Sequence, residues 1–466
     1  MTRSLFLLPS LFTLALSFLS ACSAPSGPPA KNPFYQPQTN CAETPTALAC
    51  RPDDDLDDDD DDDDPNTPPP ASTTVIKEFL FVPQMESGKI LALKIDSETG
   101  SLSTAFEHSI EFGTPGTYQP TNVLFDDEND LLFVFTKATG NAANSIFLYS
   151  VDAEENELIH QHTYAAVPSA GEPTYDFYAG VFHQIPAGSE SRFLLYTTAS
   201  DRADGPHNTQ HRVGQVASYE YFKVNDGWRL TRLNTQLTRR NPGAPAVQNA
   251  RLYVPHRDVF LFDNTSIRVM PFPLDISTGQ LLPASPDKTG ESYAYFGLLS
   301  QSPSASTRMI ALRRHSAHIE SYAVNTTTGA YSGRNYRALP GNTGQRPLHG
   351  FIHAEKNWVL IAARNDSRTH AGISVFQLLS DGTPSTQLFH LDMANNGPGF
   401  LVPSYDHKFL FSANKTSSGQ SALSSFKVET NGNTQTISLS PVQISYGLSN
   451  SHGDRLAYGR MTIIVD

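Results

Sequence analysis

From residue 347 to residue 439 the chain carries two consecutive copies of one pattern, and this repetition limits its fold more than any other feature. The first copy consists of residues 347–353, 358–362, 372–378 and 385–391, and the second of residues 399–402, 409–413, 421–428 and 434–439. Each copy is four short apolar or alternating segments separated by Gly, Asp, Asn and Ser, which is the pattern of antiparallel strands joined by turns. A single sheet of this kind cannot bury both faces, so copies must stack on one another. Repetition at about 50 residues, with four strands per copy, selects a β-propeller.

Anchoring each expected innermost strand at its start gives Pro120, Phe177, Gln248, Ser292, Pro347, Pro398 and Ser445, at intervals of 57, 71, 44, 55, 51 and 47 residues. Six complete blades then lie between Pro120 and about Pro441. Leftover strands remain at both ends, at 79–82, 90–95 and 102–112 in front and at 446–448, 455–458 and 461–465 behind. Joining the ends in one composite blade closes the ring and removes exposed sheet edges. The expectation is an all-β, seven-bladed propeller of four-stranded antiparallel blades over residues 76–466. The leftover strands exceed one blade and fall short of two, so eight blades remain the alternative.

The run Pro347-Leu348-His349-Gly350-Phe351-Ile352-His353 resembles the Pro-Arg-His-x-x-Phe-His segment of the lactonase-type seven-bladed propellers, the family of bacterial 6-phosphogluconolactonase. The stretch from Pro403 through Asp406 to Asn414 and Lys415 is similar to that family's Ser-Pro-Asp-Gly segment ending in Asn-Arg. Residues 87–102, with Ser87-Gly88, Asp96 and Thr99-Gly100, resemble its Ser-Gly-x-Ile repeat ending in Thr-Gly-x-Leu. The resemblance covers the chain from about residue 76 and implies hydrolysis of a sugar lactone. That reaction needs a general base to activate water and donors for the oxyanion formed at the ring carbonyl. The resemblance makes His349 the base or a substrate ligand. Two departures weigh against catalysis: the family's Arg falls on Leu348, with Arg346 two residues earlier, and its Asn-Glu pair falls on Ala363 and Arg364. The Asn-Arg pair survives as Asn414-Lys415.

In a propeller the blade connections and the loops between second and third strands emerge on one face, around the central channel. Here those loops are long and polar, at 137–145, 199–214, 364–372 and 414–420, and long loops on a rigid scaffold concentrate binding groups. Expected ligand-binding residues are Gln119, Tyr178, Arg346, Arg364, Asn414 and Lys415, beside the candidate catalytic His349. Such a mixed funnel suits a small anionic or sugar-like ligand, and a solvated polar rim is the competing reading. His207 and His211 have a spacing that brings two metal ligands together only on a helix, and their segment reads as loop. No metal and no cofactor are expected. Serine-hydrolase, phosphate-loop and dinucleotide motifs are lacking.

The first 21 residues form a signal segment, with Arg3 before an apolar run at 5–19 and small residues directly before Cys22. This resembles a bacterial lipobox, which implies lipidation of Cys22 and a membrane partner without a spanning helix. Ser23, rather than Asp, follows the cysteine and favours the outer membrane or cell surface. Residues 22–75 read as a disordered tether rich in Pro and Asp, with a coil span of roughly 40 Å. Cys41 and Cys50 are the remaining cysteines, and an exported location permits a disulfide while a flexible loop equally permits free thiols. Net charge is −14, but eleven Asp lie between residues 53 and 64. The folded body is thus only mildly acidic, and no basic patch points to nucleic acid. The functional expectation is a cell-envelope lipoprotein whose propeller binds a ligand or an envelope protein, with lactone hydrolysis as the alternative.

Overall fold

The computed structural model describes residues 78–465 apart from intervening segments, the longest of which are 202–213, 257–268, 285–293 and 448–461. Blade 1 holds β1 (Glu78–Gln84), β2 (Lys89–Ile95) and β3 (Leu102–Ser109). Blade 2 holds β4 (Tyr118–Asp126), β5 (Leu131–Ala138), β6 (Ser145–Asp152) and β7 (Glu157–Ala165). Blade 3 holds β8 (Tyr175–Ala187), β9 (Glu190–Asp201), β10 (Gly214–Val224) and β11 (Gly227–Thr238). Blade 4 has β12 (Ala246–Gln248), β13 (Arg251–Pro255) and β14 (Val269–Pro273). Blade 5 holds β15 (Ala294–Gln301), β16 (Thr307–Arg313), β17 (His318–Val324) and β18 (Tyr331–Ala338). Blade 6 holds β19 (Arg346–His353), β20 (Trp358–Arg364), β21 (Ala371–Leu378) and β22 (Pro384–Asp392). Blade 7 holds β23 (Asn396–Pro403), β24 (Phe409–Thr416), β25 (Ser421–Asn431) and β26 (Thr436–Gly447). The last strand, β27 (Thr462–Val465), pairs antiparallel with β1 and becomes the innermost strand of blade 1.

Among the described residues apolar clusters lie at each junction of consecutive blades, which is how a ring of stacked sheets buries its faces, and the one joining blades 5 and 6 also takes in Ala179 of blade 3 and Ala244. The cluster joining blades 7 and 1 packs Phe400, Phe409 and Phe411 against Leu80, Val82 and Leu91. Middle strands have both faces covered, so they read as continuous apolar runs: Trp358–Arg364 is buried throughout. The outer strand Tyr331–Ala338, Tyr-Ser-Gly-Arg-Asn-Tyr-Arg-Ala, is almost wholly exposed. Burial therefore falls from the inner strands outward, and the chemistry of each segment follows its radius.

The Asp-x-x-Thr-Gly signature marks the hairpin between third and fourth strands. Asp96 Oδ1 accepts the N–H groups of Glu98 and Thr99, and Gly100 sits at φ +71° with its N–H on the Asp96 carbonyl. A side chain at Gly100 would also collide with the Phe409 ring of blade 7. Asn325 and Gly329 build the same turn in blade 5.

The composite blade and the count of seven agree with expectation, and three details differ. Ser445 begins no innermost strand: it lies inside β26, which continues to Gly447 because β25 is long enough to pair with it there. Tyr446 and Gly447, expected in a surplus strand, are thus the end of an outer strand, and the expected strand at 455–458 lies outside the described residues. Gln248 ends its strand rather than starting it. Blade 4, expected to be complete, shows three strands among the described residues, with 257–268 and 285–293 outside them.

The open edge of that blade is chemically closed. Leu274 donates inward to Ala250, while the Pro273 carbonyl accepts outward from Leu282, so alternate residues of β14 place their polar groups on opposite edges. Pro271 and Pro273 therefore put their ring nitrogens where an added strand would need donors. The outward carbonyl of Val269 accepts the Tyr331 hydroxyl at 3.2 Å. Residues 22–75, with Cys22, where lipidation is expected, and the cysteines Cys41 and Cys50, lie outside the described residues.

Candidate functional site

Regular positions of an innermost strand point their side chains alternately into the two neighbouring blades, so little but backbone faces the channel. A β-bulge changes this by inserting an extra residue and re-aiming its side chain. Five of the seven innermost strands carry a register shift at the same place near their start. It lies between Pro120 and Asn122, Phe177 and Ala179, Ala294 and Phe296, Pro347 and His349, and Pro398 and Phe400. The extra residues are Thr121, Tyr178, Tyr295, Leu348 and Gly399. Thr121, Tyr178 and Leu348 are each half-buried between two buried neighbours. This repeated device re-aims them: Tyr178 of blade 3 and Leu348 of blade 6 pack against the same apolar cluster, and the Thr121 hydroxyl turns into the seam of blades 2 and 3.

The bulges are interlocked from blade to blade. Thr121 donates its hydroxyl toward the carbonyls of Phe135 (3.1 Å) and Phe177 (3.3 Å), and Asn122 Nδ2 donates to the Tyr178 carbonyl at 2.8 Å. Fully buried Asn144 accepts the Ala138 N–H and donates to Asp176 Oδ1 (2.9 Å) and to the Tyr175 carbonyl. Lys137 closes the same seam with an ion pair to Asp176 at 3.4 Å. Gln119 is half-buried and its backbone is opposite Lys137. The sector of blades 2 and 3 thus presents Gln119, Lys137, Asp176 and Tyr178 on a rigid base.

Across the ring, blades 6 and 7 place the motif residues differently from expectation. His349 is 4% exposed, and its Nδ1 accepts the Leu401 N–H at 3.2 Å. Its ring packs on Phe400 at 3.8 Å between centroids. As Nδ1 is an acceptor, the neutral ring carries its proton on Nε2. The position corresponds to Asn122 of blade 2, which also reaches the next blade's backbone, so His349 sits in the wall between blades. Asn414 is fully buried, accepting from Ser412 Oγ and donating to Ser424 Oγ, each at 2.6 Å. Arg364 is 8% exposed and Nη1 donates to the Gly397 carbonyl at 3.3 Å. Arg346 pairs through its backbone with Arg364, and Lys415 with Gly397 and Ser421.

The expected residues therefore fall into two sectors. Gln119 and Tyr178 share one, while Arg346, His349, Arg364, Asn414 and Lys415 share the other, where His349, Arg364 and Asn414 are built into the blade contacts. Residues 202–213, 365–370 and 417–420 of the expected loops lie outside the described residues. Of the bulged residues, the sequence singled out Tyr178 as a binding residue but not Thr121, and it did not point to the Asn144 and Asp176 seam. The available signal was a proline directly before the extra residue in three blades, at 120, 347 and 398.

No family model matches the chain, and no curated protein matches it. Among solved structures, it is similar to the periplasmic gluconolactonase of Pseudomonas aeruginosa, with a TM-score of 0.57 at 13% identity. It is similar as well to a protein assigned as a 6-phosphogluconolactonase from Bacteroides fragilis, with a TM-score of 0.56 at 10% identity. A third structure, of a protein from Lactobacillus plantarum, has a TM-score of 0.54 at 14% identity. Each comparison covers 84% of this chain and 99% of the other. At these identities the likeness is one of fold, a seven-bladed propeller.

Proposed function

We propose that this chain is an exported, lipid-anchored propeller whose channel mouth binds a small hydroxylated or anionic molecule. The observation that carries this reading is the division of labour at the mouth. The motif histidine His349 is committed to the blade wall, and the bulged residues, with Gln119 and the Lys137–Asp176 pair, form a mixed polar and apolar rim. Such a rim can orient a ligand through hydrogen bonds while an aromatic face covers its ring. Leu348 occupies the bulge where the resembling family carries Arg, which supports recognition over hydrolysis.

Binding of aldonic acids and sugar lactones to the soluble domain, residues 73–466, is the direct test, by calorimetry on wild type and Tyr178→Ala. Loss of binding in the variant, with an unchanged melting temperature, is the expected result. Wild type that binds none of these compounds would remove the reading. The anchor is tested separately: Cys22→Ala should move the protein from the membrane fraction to the soluble one. Retention of that variant at high salt would overturn the lipobox assignment.

Lactone hydrolysis is the second reading, favoured by the names of two similar structures, a gluconolactonase and a protein assigned as a 6-phosphogluconolactonase. It requires the domain to open gluconolactone-type substrates above background. An observed turnover, abolished in a variant of the mouth, would replace the binding reading.

A further inference from the structure

On the face opposite the channel mouth, residues 404–408 form the turn between β23 and β24, and it is wedged between two blades. His407, held at φ +58°, stacks on His353 of blade 6 with ring centroids 4.4 Å apart and planes 28° from parallel. Phe351 stacks on His407 at 5.6 Å, and Trp358 meets His353 edge-on at 5.7 Å. His353 is 6% exposed and His407 half-buried, so the pair is shielded from water on the His353 side. On the other flank, Tyr405 donates its N–H to Glu78 Oε1 at 2.8 Å, and Glu78 is 5% exposed. Glu78 begins β1 and is opposite Val465 of the ring-closing strand. One turn therefore touches both the junction of blades 6 and 7 and the blade that closes the ring.

We propose that this turn is an acid-sensitive latch, released when both stacked imidazoles take up protons. Neutral rings stack favourably, whereas two cations at this separation repel because little water screens them on the His353 side. Burial, then His407 and Lys356, push the His353 pKa down to about 3. An unfolded histidine titrates near about 6.5. The native state thus binds fewer protons than the unfolded state between those values, and the latch loses stability as pH falls through that window.

The charged groups around the pair are Lys356 from the β19–β20 turn, Asp406 and Lys408 beside His407, and Glu78 from β1. Asp406 and Lys408 pair with each other at 2.7 Å. Burial raises the Asp406 pKa, but hydrogen bonds from Lys408 and Ser404 outweigh it and hold the carboxyl below its ordinary value. Glu78 acts in the opposite sense: burial raises its pKa, so its protonation favours the native state in acid. Its contribution is subtracted by making each comparison in a Glu78→Gln background as well.

The test measures amide protection of residues 404–408 by hydrogen exchange between about pH 7 and about pH 4. It compares the wild-type domain with His353→Phe, which keeps an aromatic ring, and with His407→Asn, which tolerates the positive φ. Wild type should lose at least about tenfold in protection over this range, and both variants should lose little. An equal loss in wild type and variants overturns the proposal. Should neither variant fold, exchange of the histidine C2 hydrogen in wild type decides: a His353 midpoint far below the free value supports the latch, and one near it refutes it.

Discussion

The side-chain amide of Asn234 pairs with the backbone of Leu281 through two hydrogen bonds, accepting its N–H at 3.0 Å and donating to its carbonyl at 2.8 Å. An asparagine of blade 3 thus takes the place of a ladder partner for the segment that follows the third strand of blade 4. Gln236 adds a bond to the same carbonyl at 3.2 Å, and Leu281 is buried in the cluster joining the two blades. This clamp holds the segment in which Leu281 is bridged to Leu274 beyond the third strand.

Asn234→Ala should therefore cost about 1–3 kcal/mol, because the Leu281 N–H is left in a buried site without its acceptor. Urea denaturation gives the magnitude, and limited proteolysis should show cleavage near residues 281–284. Equal stability and an unchanged cleavage pattern would show that the clamp is dispensable.

Removing residues 461–466 deletes β27 and with it the pairing of Glu78–Phe81 with Thr462–Val465. All seven residues of β1 are buried, so an apolar edge is exposed in the middle of the ring's closure. The truncated domain should melt at a clearly lower temperature or elute as aggregates in size-exclusion chromatography. A stable monomer would mean that the ring closes without its last strand.

His349→Ala should destabilise the domain by about 1–3 kcal/mol, since the buried Leu401 N–H loses its acceptor and Phe400 loses its packing partner. Ligand affinity should change little, as measured by calorimetry beside chemical denaturation. A loss of lactone turnover by about 10² to 10⁴, with stability retained, would instead make His349 a general base.

Asp126 gives a pH-dependent outcome. It is 5% exposed and accepts from the Tyr221 hydroxyl and Asn129 Nδ2, each at 2.7 Å. Burial nonetheless raises its pKa above the ordinary carboxylate value, against the pull of those hydrogen bonds. A raised carboxyl favours the native state when protonated, and this contribution is lost as pH rises through its folded value. Asp126→Asn keeps an acceptor for Tyr221 and removes the charge. It should be as stable as wild type or more so at about pH 7, with the advantage shrinking toward about pH 4. A variant that is less stable at neutral pH and equal in acid would reverse the sign and show that the carboxylate is favoured.

Strand positions and turn chemistry were legible in the chain because they depend on near neighbours. The alternation and apolar runs of residues 347–439 mark eight strands, and all eight are present. Asp96 and Gly100 mark a hairpin whose hydrogen bonds lie within five residues of sequence. Ring closure was also legible, since strands without partners at both chain ends have one favourable use.

The direction of each side chain at the inner strands was decided by tertiary structure. One inserted residue shifts the alternation of everything beyond it. His349 follows such a shift, so its ring enters the wall against Phe400 and Leu401. Tyr178 is itself the inserted residue and remains half-buried at the mouth. A proline precedes the inserted residue in three blades, but it does not set the shift, because the bulge forms only where the second strand and the neighbouring blade supply partners. Blade 4 has the same origin: among the described residues, Tyr331 of blade 5 binds the outward Val269 carbonyl of β14, and Asn234 of blade 3 holds Leu281 in the segment that follows.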